Sequence, residues 1–337
     1  MQTKIIKITG QNSKKVLNKA AAVIKNGGLV VFPTETVYGL GANVFDEKAL
    51  GKIFLAKGRP SDNPLIVHIS DKKELVDLTD SVTENQQKLI NAFWPGPLTI
   101  IFEKKDNISN IVSGGLSTIA VRMSLNIFAN ELIKLSGVPI AAPSANTSGR
   151  PSGTTGEDIY NELNGRVDMI IDDGESDIGV ESTVVKINDD SVLILRPGAI
   201  TKEMLEKVLY PLPVSFAKEK SDLQFSPGTK YKHYAPKVKL EIFKKEEIQN
   251  RIKILENKNF KIGIITTEQN ENLFSKYLPD VFVLGDENNL EEISQKLYSA
   301  LRFFDTHNVD IILCQSFKEE GIGVAIMDRL NRASSEV

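Results

Sequence analysis

The chain has 337 residues, which at about 150 residues per domain predicts two domains, each large enough for its own hydrophobic core. Hydrophobic residues make up 41% and charged residues 25%, as in ordinary globular proteins, and the net charge of −3 argues against a protein that binds nucleic acid with its whole surface. The single cysteine, Cys314, excludes an internal disulfide and fits a reducing cytoplasm.

Membrane spans, secretion signals and resident metal sites have no support in the sequence. No apolar run reaches the ~18 residues that a membrane helix needs, and the first residues, MQTKIIKITG, lack the long apolar core of a signal peptide. We therefore expect a cytoplasmic protein without membrane contact. The three histidines, His68, His233 and His307, lie far from one another and from Cys314, so no zinc site is predicted, and there is no EF-hand loop.

The N-terminal part of the chain mixes helix and strand patterns. Apolar residues at helical spacing predict a helix from Ser13 to Lys25, which Gly27-Gly28 ends, and a strand follows from Leu29 to Phe32. Asp46 is a candidate N-cap of the next helix. Further helices are predicted over residues 84–93, 128–135 and 157–163, and further strands over residues 65–67, 98–102, 119–122, 140–142, 169–171, 183–187 and 192–195. Because the alternation is not strict, we predict an α/β domain over residues 1–209 with one large, twisted, mixed sheet.

Residues 210–236 have a different composition, with four prolines, few aliphatic side chains and the stretch SPGTKYKHYAP. This composition predicts a linker. Beyond it, strands and helices alternate regularly, with strands predicted over residues 238–243, 262–266, 281–284 and 310–314. The regular alternation predicts a small parallel sheet with Rossmann-like winding over residues 237–337.

Polar loops follow two of the predicted buried strands. The first, PTETVYGLG, begins at Pro33; in an extended PTET segment Thr34, Thr36 and Tyr38 share one face, so Thr36 can offer its hydroxyl to a small polar ligand. Gly39 and Gly41 are expected to let the backbone turn tightly there. Glu35 belongs to the motif, but the sequence indicates no role for it.

The second polar loop, PSANTSGRPSGT, begins at Pro143. A basic loop that could also bind an anion lies between the two polar loops in the sequence. Ligands of α/β sheets bind at the carboxyl ends of strands, and backbone amides and hydroxyls there can hold an anion. In KGRPSDNP, Lys57 and Arg59 flank a glycine and suit phosphate oxygens. Taken alone, a Ser/Gly-rich surface loop and a basic helix end are the commoner explanations of such stretches.

Single residues at other strand ends are weaker indications. Ser182 precedes a strand, Arg196 ends one, and Thr118 and Arg122 flank a third. His68, at the end of a short strand, is by base rates a satisfied, partly buried histidine. The sequence lacks the P-loop, the complete glycine fingerprint of dinucleotide-binding proteins and the GxSxG nucleophile motif.

In combination, these motifs resemble a known family. The order PTETVYGLG, KGRPSDNPL, PSANTSGRPSGT, ESTVV, LRPG and SPGTKYKHYAP is similar to the threonylcarbamoyl-adenylate synthase family in its long form, a YrdC-like domain, a linker and a smaller C-terminal domain. The resemblance implies a reaction in which L-threonine, bicarbonate and ATP, with Mg2+, give L-threonylcarbamoyl-AMP and pyrophosphate. A separate tRNA threonylcarbamoyltransferase complex would use the product, so that contact with tRNA is indirect.

The resemblance also implies roles for individual residues. It implies threonine contacts for Thr36, His68, Arg122, Ala142 (through its backbone) and Ser182. It implies ATP contacts for Arg59, Asn63, Thr118, Ser144, Asn146, Ser152, Arg196 and, from the linker, Tyr234, with Tyr231 as the alternative. It places Lys57 and Arg59 at the catalytic centre.

The chemistry of these side chains agrees with such a reaction. The Arg122 guanidinium can bind the carboxylate of threonine. Lys57, Arg59, Arg196 and the magnesium would offset phosphate charge, so that catalysis is mostly positioning and electrostatic stabilisation. No general base is evident. Because carbamates hydrolyse readily, we expect the site to close, with the linker as a lid.

Three other functions compete with this interpretation. The first is a double-stranded RNA- or tRNA-binding translation or ribosome-assembly factor, in which Lys52, Lys57, Arg59, Arg122 and Arg196 form a basic concave surface; the negative net charge and the lack of aromatic residues for base stacking argue against it. The second, a carbamoyltransferase, would carry zinc-finger and acylphosphatase segments. The third, a nucleotide-binding oxidoreductase, would need the missing glycine fingerprint.

Overall fold

The computed structural model describes residues 2–227, 233–244 and 246–334. The chain divides into two compact units. The larger unit comprises residues 1–148, 152–177 and 181–230, and the smaller unit comprises residues 149–151, 178–180 and 231–337. Each unit has its own sheet. The domain limits predicted at residues 209 and 237 stay predictions.

The larger unit contains eleven strands and eight α-helices among its described residues. The strands are β1 (Lys4–Lys7), β2 (Val30–Phe32), β3 (Gly39–Asn43), β4 (Ile66–His68), β5 (Leu98–Glu103), β6 (Thr118–Arg122), β7 (Ile140–Ala142), β8 (Met169–Asp172), β9 (Thr183–Ile187), β10 (Val192–Arg196) and β11 (Val214–Phe216). The helices are α1 (Ser13–Lys25), α2 (Glu47–Lys57), α3 (Glu84–Phe93), α4 (Asn110–Ser113), α5 (Ile127–Ser136), α6 (Gly156–Leu163), α7 (Lys202–Leu209) and α8 (Lys220–Leu223), and a 3₁₀ helix covers Lys72–Asp77.

All eleven strands belong to one mixed sheet, in the order β1-β8-β2-β3-β7-β4-β6-β5-β9-β10-β11, which confirms the predicted fold class. The main hydrophobic core lies on one side of the sheet, where α2, α3, α6 and α7 pack. On the other side, α1 and α5 cover β2, β7 and β8. A small apolar cluster on β4, β5, β6, β9 and β10 contains Ile66, Ile101, Ala120, Val184 and Leu195.

Strand register places the predicted site residues on the side of the small cluster. His68 pairs with Arg122 on the neighbouring β6, and Arg122 pairs with Thr99 on β5. Paired residues of adjacent strands point to the same side of a sheet, and residues two apart on one strand do so as well. Thr118 and Ala120 therefore lie on the same side as Arg122, whereas the intervening Val121 points into the main core. The polar side chains of Thr99, Thr118, Arg122 and His68 therefore lie on the same side of the sheet as the small apolar cluster, and we call them the polar row.

Three strands of the larger sheet were not predicted. β1 pairs with β8, β3 pairs with β2 and β7, and β11, within the range predicted as linker, pairs with β10. These segments are short or poor in apolar residues, so their own sequence gives little strand signal. Val214, for example, is the only buried residue of β11. Their pairing depends on the strands beside them.

The prediction that Gly39 and Gly41 form a tight turn is wrong, because both residues lie within the extended strand β3. Their role is to leave space. A Cβ atom on Gly41 would lie 2.7 Å from Ile140 Cγ2 and 2.8 Å from the ring of Phe32, and one on Gly39 would lie 3.0 Å from the same ring. The Phe32 ring in turn makes an edge contact with the His68 ring, at 5.6 Å between centroids. The two glycines therefore admit the aromatic ring that supports His68.

We expect Gly41→Ala to lower the free energy of unfolding by about 1–3 kcal/mol, because the added methyl overpacks the contact with Phe32 and Ile140. Gly51→Ala is the matched control: Gly51 lies within α2, and a Cβ atom there meets no atom within 4 Å. Because alanine has a higher helix propensity than glycine, Gly51→Ala should raise the free energy of unfolding by about 0.5–1 kcal/mol. Urea unfolding of both variants checks this, and equal effects would contradict the packing argument.

The smaller unit has a four-stranded parallel sheet in the order β12-β15-β13-β14, as predicted. Its elements are β12 (Lys239–Phe243), α9 (Ile248–Glu256), β13 (Ile262–Thr266), a 3₁₀ helix (Glu268–Tyr277), β14 (Val281–Val283), α10 (Leu290–Phe303), a 3₁₀ helix (Phe304–Thr306), β15 (Ile311–Gln315) and α11 (Gly323–Ser334). No helix of the described residues in either unit is long and apolar enough to span a bilayer.

Residues 149–151, from the middle of the PSANTSGRPSGT motif, belong to the smaller unit. The Arg150 guanidinium forms an ion pair with Asp305 and donates a hydrogen bond to the Ala235 carbonyl at 3.2 Å. The Ala235 amide in turn donates to the Gly149 carbonyl at 2.9 Å. The motif therefore contributes to both units, which its sequence does not indicate.

Candidate active site

The loop between β2 and β3 carries the first group of site residues. The Thr34 and Thr36 hydroxyls lie 2.9 Å apart, and the Thr34 hydroxyl also donates to the Val37 carbonyl at 2.6 Å. The segment is therefore bent, and the prediction of an extended segment with Thr34, Thr36 and Tyr38 on one face is wrong, because Tyr38 lies in the main core. Arg122, at the end of β6, donates a hydrogen bond from Nη1 to Thr36 Oγ1 at 2.7 Å. Its Nη2 lies 2.8 Å from Glu35 Oε2, and both side chains are only 4% exposed. Neither Nε nor Nη2 of Arg122 has a hydrogen-bond partner among the described residues, so both can donate to a ligand.

Glu35, for which the sequence indicated no role, holds this arrangement together. Its carboxylate also accepts hydrogen bonds from the Ser124 hydroxyl and from the Leu125 amide, the latter at 3.0 Å. Burial by itself would raise the pKa of Glu35, but the Arg122 charge and these hydrogen bonds outweigh it and hold that pKa below its ordinary value. Glu35 is therefore an anion at neutral pH.

His68 lies beside Arg122 at the end of β4 and is 4% exposed. It is not the satisfied histidine that base rates favour, because its Nδ1 has no hydrogen-bond partner in the described part of the chain. Burial, assisted by the positive charge of Arg122, lowers the pKa of His68 to about 3. The imidazole is therefore neutral at pH 7, and it can exchange hydrogen bonds with a ligand without carrying charge.

This buried histidine should make the stability of the fold depend on pH. Because the pKa of His68 is about 3 in the folded chain and about 6.5 in an unfolded one, the unfolded state binds the extra proton as the pH falls. Below about pH 6 the free energy of unfolding should then decline by up to about 1.4 kcal/mol per pH unit more than in His68→Gln. Urea titrations between pH 5 and 7 measure this, and parallel curves for the two proteins would refute it.

Ser182 and Arg196 extend the polar row across β5, β9 and β10. The Ser182 hydroxyl lies 2.8 Å from that of Thr99, the residue paired with Arg122. Arg196 donates to the Ser182 carbonyl from Nε and to the Ser182 hydroxyl from Nη2, both at 3.1 Å. Thr36, His68, Arg122 and Ser182 are thus linked through direct contacts or paired strand positions. Ala142 ends β7, opposite Ile66 of β4, which places its backbone beside them.

The PSAN segment, at residues 143–146, is held by Lys57, the last residue of α2. Lys57 is 1% exposed, and its ammonium donates to the carbonyls of Ser144 and Asn146, at 2.5 Å in the second case. The Ser144 hydroxyl donates to Asn146 Oδ1 at 2.6 Å. Lys57, predicted to be catalytic, is thus engaged with the backbone of the loop that carries two predicted ATP contacts.

The remaining predicted ATP contacts lie in buried polar positions. Arg59 follows Gly58, whose left-handed φ of 61° ends α2, and it donates from Nη2 to the Pro64 carbonyl at 3.0 Å. Asn63 is 1% exposed, and neither atom of its amide has a hydrogen-bond partner among the described residues. The Ser152 hydroxyl donates to Glu181 at 2.6 Å. Because buried amides are nearly always hydrogen-bonded, Asn63 marks a place where a ligand can bind.

Residues 217–227 cover the side of the sheet that carries these groups. Ala217 and Phe225 pack against the small apolar cluster, and the Lys186 ammonium lies 3.9 Å from the centroid of the Phe225 ring. Arg196 Nη1 donates to the Pro227 carbonyl at 3.1 Å. This part of the predicted linker is thus hydrogen-bonded to Arg196, which is predicted to bind ATP.

Tyr234, the predicted linker contact of ATP, belongs to the smaller unit and is 4% exposed. It has a left-handed φ of 67°, which is rare for a tyrosine. Its ring stacks on Tyr298 at 5.4 Å, and the Arg329 guanidinium lies 5.4 Å from its centroid. The alternative, Tyr231, lies outside the described residues. A contact of Tyr234 with ATP stays a prediction.

The structure adds three polar residues to those predicted. Glu35 pairs with Arg122, Thr99 with Ser182, and Glu181 with Ser152. Thr99 had a weak signal, as a polar residue within the apolar strand LTIIF. In the described part of the chain, no group of three or more histidine, cysteine or acidic residues could hold a metal ion.

Comparisons with known proteins identify both parts of the chain. Residues 22–198 match the Sua5, YciO and YrdC model described as telomere recombination, and residues 200–335 match the threonylcarbamoyl-AMP synthase C-terminal domain. Threonylcarbamoyl-AMP synthase of Bacillus subtilis is 46% identical over 320 residues, which cover 94% of this chain and 92% of the relative. The namesake from Pyrococcus abyssi is 41% identical over 341 residues, 98% of either chain.

Comparison with a solved structure indicates the same family. The crystal structure of P. abyssi Sua5 complexed with L-threonine has a TM-score of 0.89 to this structure at 39% sequence identity, and the match covers 99% of this chain and 98% of that one. Both family models, the full-length relatives and the fold therefore agree. This chain belongs to the threonylcarbamoyl-AMP synthase family, in its two-domain form.

Proposed function

We propose that the chain makes L-threonylcarbamoyl-AMP from L-threonine, bicarbonate and ATP, with release of pyrophosphate, as the first step of tRNA threonylcarbamoyladenosine modification. The observation that carries this proposal is the buried group of Thr36, His68 and Arg122, in which the Arg122 Nε and the His68 Nδ1 have no hydrogen-bond partner among the described residues. A guanidinium beside a neutral imidazole and a hydroxyl suits a small hydroxy amino acid.

Within this proposal, threonine binds through Thr36, His68, Arg122, the Ala142 backbone and Ser182. Arg122 takes the carboxylate, because a guanidinium offers a carboxylate two parallel hydrogen bonds. His68, neutral at pH 7, exchanges a hydrogen bond with the amine or the hydroxyl. The amine then loses a proton to solvent and attacks CO2, or attacks bicarbonate with loss of water, to form a carbamate. A carbamate oxygen attacks the α-phosphorus of ATP, and pyrophosphate leaves as the bond between the α-phosphorus and the bridging oxygen breaks. No covalent enzyme intermediate is required.

ATP binds in the proposal through Arg59, Asn63, Thr118, Ser144, Asn146, Ser152, Arg196 and Tyr234. The cations Lys57, Arg59 and Arg196 supply positive charge, and Lys57 keeps the PSAN segment in place. Mg2+ enters as part of the MgATP substrate: magnesium keeps several waters and needs few protein ligands when phosphates bind it.

Closure of the site is part of the proposal, because water destroys carbamates and mixed anhydrides. Ala217 and Phe225 pack against the small apolar cluster on the same side of the sheet as the polar row, and the Pro227 carbonyl accepts a hydrogen bond from Arg196. A nucleotide that draws Arg196 toward its phosphates would compete with that bond. The linker would then respond to occupancy, as a lid does. We further propose a cytoplasmic location and transfer of the product to a tRNA threonylcarbamoyltransferase complex.

The burial of the basic residues argues against the RNA-binding alternative. Lys57, Arg59, Arg122 and Arg196 are between 1% and 8% exposed, and each contacts protein oxygens. Binding of RNA backbones requires exposed cations that release counterions. A basic concave surface built from these four side chains is therefore not available to a duplex.

Pyrophosphate release from MgATP and bicarbonate, measured with and without L-threonine, tests the proposed function. We expect release to depend on threonine, and mass spectrometry of the product should show threonylcarbamoyl-AMP. Serine should support weaker release, because one methyl group is worth only about 1–3 kcal/mol of discrimination. Absence of threonine-dependent release, together with tRNA binding that weakens steeply with salt, would reject the proposal in favour of the RNA-binding alternative.

A further inference from the structure

Glu35 occupies a position in which it controls the geometry of Arg122. The two charged groups are 2.8 Å apart, and no other described carboxylate forms an ion pair with Arg122. A buried arginine has several rotamers, and each would aim its N–H groups differently. Two constraints select one of them: the Thr36 hydroxyl holds Nη1 at 2.7 Å, and the Glu35 carboxylate holds Nη2.

The carboxylate is itself fixed from a third direction. Ser124 and Leu125, in the turn that follows β6, donate to its two oxygens, and Asn126 of the same turn caps α5 through the amides of Phe128 and Ala129. Ser124 also accepts a hydrogen bond from the Asn126 amide at 3.2 Å. The anion is thereby attached to the end of a packed helix and cannot follow a movement of the arginine.

We propose that Glu35 is a positioning residue for substrate recognition, which holds the Arg122 guanidinium so that its remaining N–H groups meet the carboxylate of the amino acid. This inference rests on the proposed function for the identity of that amino acid. Glu35 touches neither the reacting atoms nor the nucleotide in this role. It acts through Arg122, and its loss should affect threonine binding far more than ATP binding.

The arrangement also explains why an acidic residue is tolerated next to an anion-binding arginine. A carboxylate that faced the ligand would repel it. Here both oxygens of Glu35 are engaged with Arg122, Ser124 and Leu125, while the Arg122 Nε is left without a partner among the described residues. The Thr36 hydroxyl thus occupies Nη1 and the Glu35 charge lies beside Nη2, while Nε and Nη2, neither of which has a hydrogen-bond partner among the described residues, remain for the substrate.

Calorimetric titration of Glu35→Gln with L-threonine and with L-threoninol, which lacks the carboxylate, tests the proposal. The variant keeps the size of the side chain and removes its charge. We expect the Kd for threonine to rise about 10- to 100-fold, the loss expected when a charged hydrogen-bonding partner is removed. The Kd for threoninol should change by less than about threefold, because no carboxylate meets Arg122. A general loss of structure would weaken both ligands alike, and that outcome would overturn the proposal.

Kinetics provide the second readout. In pyrophosphate release, Glu35→Gln should raise the KM for threonine and leave the KM for ATP nearly unchanged. Glu241→Gln is the matched control: Glu241 forms an ion pair with Arg251 at the same 2.8 Å, within the smaller unit. That variant should behave as the wild type. An unchanged affinity for threonine in folded Glu35→Gln would refute the role of Glu35.

Two further measurements keep the proposal testable. If Glu35→Gln does not fold, Ser124→Ala decides, since it removes one donor from Glu35 and leaves Arg122 intact; a smaller rise in the threonine Kd supports the proposal, and an unchanged Kd refutes it. Threonine binding and pyrophosphate release, both measured on the wild-type protein, distinguish failure of the proposed reaction from failure of the proposed role of Glu35. Threonine binding without pyrophosphate release would reject the proposed reaction, and the role of Glu35 would still be decided by the titrations.

Discussion

Replacement of Arg122 by methionine should both abolish threonine-dependent pyrophosphate release and lower the free energy of unfolding by about 3–5 kcal/mol, because it leaves the buried Glu35 carboxylate without its cation. The loss of activity follows from the missing carboxylate ligand. The loss of stability follows from an uncompensated charge in a site that is 4% exposed. Urea unfolding at pH 7 and the pyrophosphate assay measure the two effects separately.

A double variant separates these two consequences. In Arg122→Met with Glu35→Gln, no charge remains unpaired, so we expect most of the lost stability to return, since neutral replacements of a buried ion pair are often well tolerated. Activity should not return. If the double variant were as unstable as the single one, the ion pair would not be the reason for the destabilisation. If it regained threonine-dependent release, Arg122 would not bind the carboxylate.

Replacement of Lys57 by methionine should have the second large effect. The change removes the ammonium that donates to the carbonyls of Ser144 and Asn146, although the Ser144 carbonyl keeps the Asn146 amide as a donor at 3.1 Å. Hydrogen bonds to a charged group contribute about 1.5–3 kcal/mol each, so we expect the free energy of unfolding to fall by about 2–4 kcal/mol. The rate of pyrophosphate release should fall about 100-fold or more, because the PSAN segment no longer holds its predicted ATP contacts in place.

Lys52→Met is the control for this variant. Lys52 lies on the same helix, and its ammonium also donates to a backbone carbonyl, that of Gly27, at 2.6 Å. Since Gly27 lies in the loop between α1 and β2, which contains no predicted ligand contact, we expect this variant to keep its activity and to lose at most about 1 kcal/mol of stability. Equal losses of activity in the two variants would show that Lys57 has no special role at the PSAN segment.

The local sequence determined much of the fold. The helix predicted from Ser13 to Lys25 has these same limits in the structure, and Asp46 caps the second helix through the amides of Lys48 and Ala49. Helical spacing of apolar residues and the short side chains of caps act within a few residues, so a local pattern is sufficient to detect them. The regular alternation after residue 237 likewise predicted the small parallel sheet.

The sequence also located the polar loops of the site. Hydroxyls, amides and cations directly after an apolar strand indicate either a ligand-binding loop or a solvent-exposed one, and both can be recognised in a local pattern. It could not say which of these groups meet. Thr36 and Arg122 are 86 residues apart in the chain and 2.7 Å apart in the structure. The pairing of Glu35 with Arg122, and of Thr99 with Ser182, depends equally on strand order, which a local pattern does not contain.

Other features followed only from packing between distant segments. Gly39 and Gly41 were predicted to form a turn, but they lie in a strand that pairs with β2 and β7, and glycine stands there because the Phe32 ring leaves no space for a side chain. Residues 149–151 belong to the smaller unit although the motif around them lies in the larger one. The sequence by itself thus determined the elements, the fold class and the chemical groups of the site, since these depend on short-range spacing; only the tertiary structure decided their partners, since burial and ion pairing depend on residues far apart in the chain.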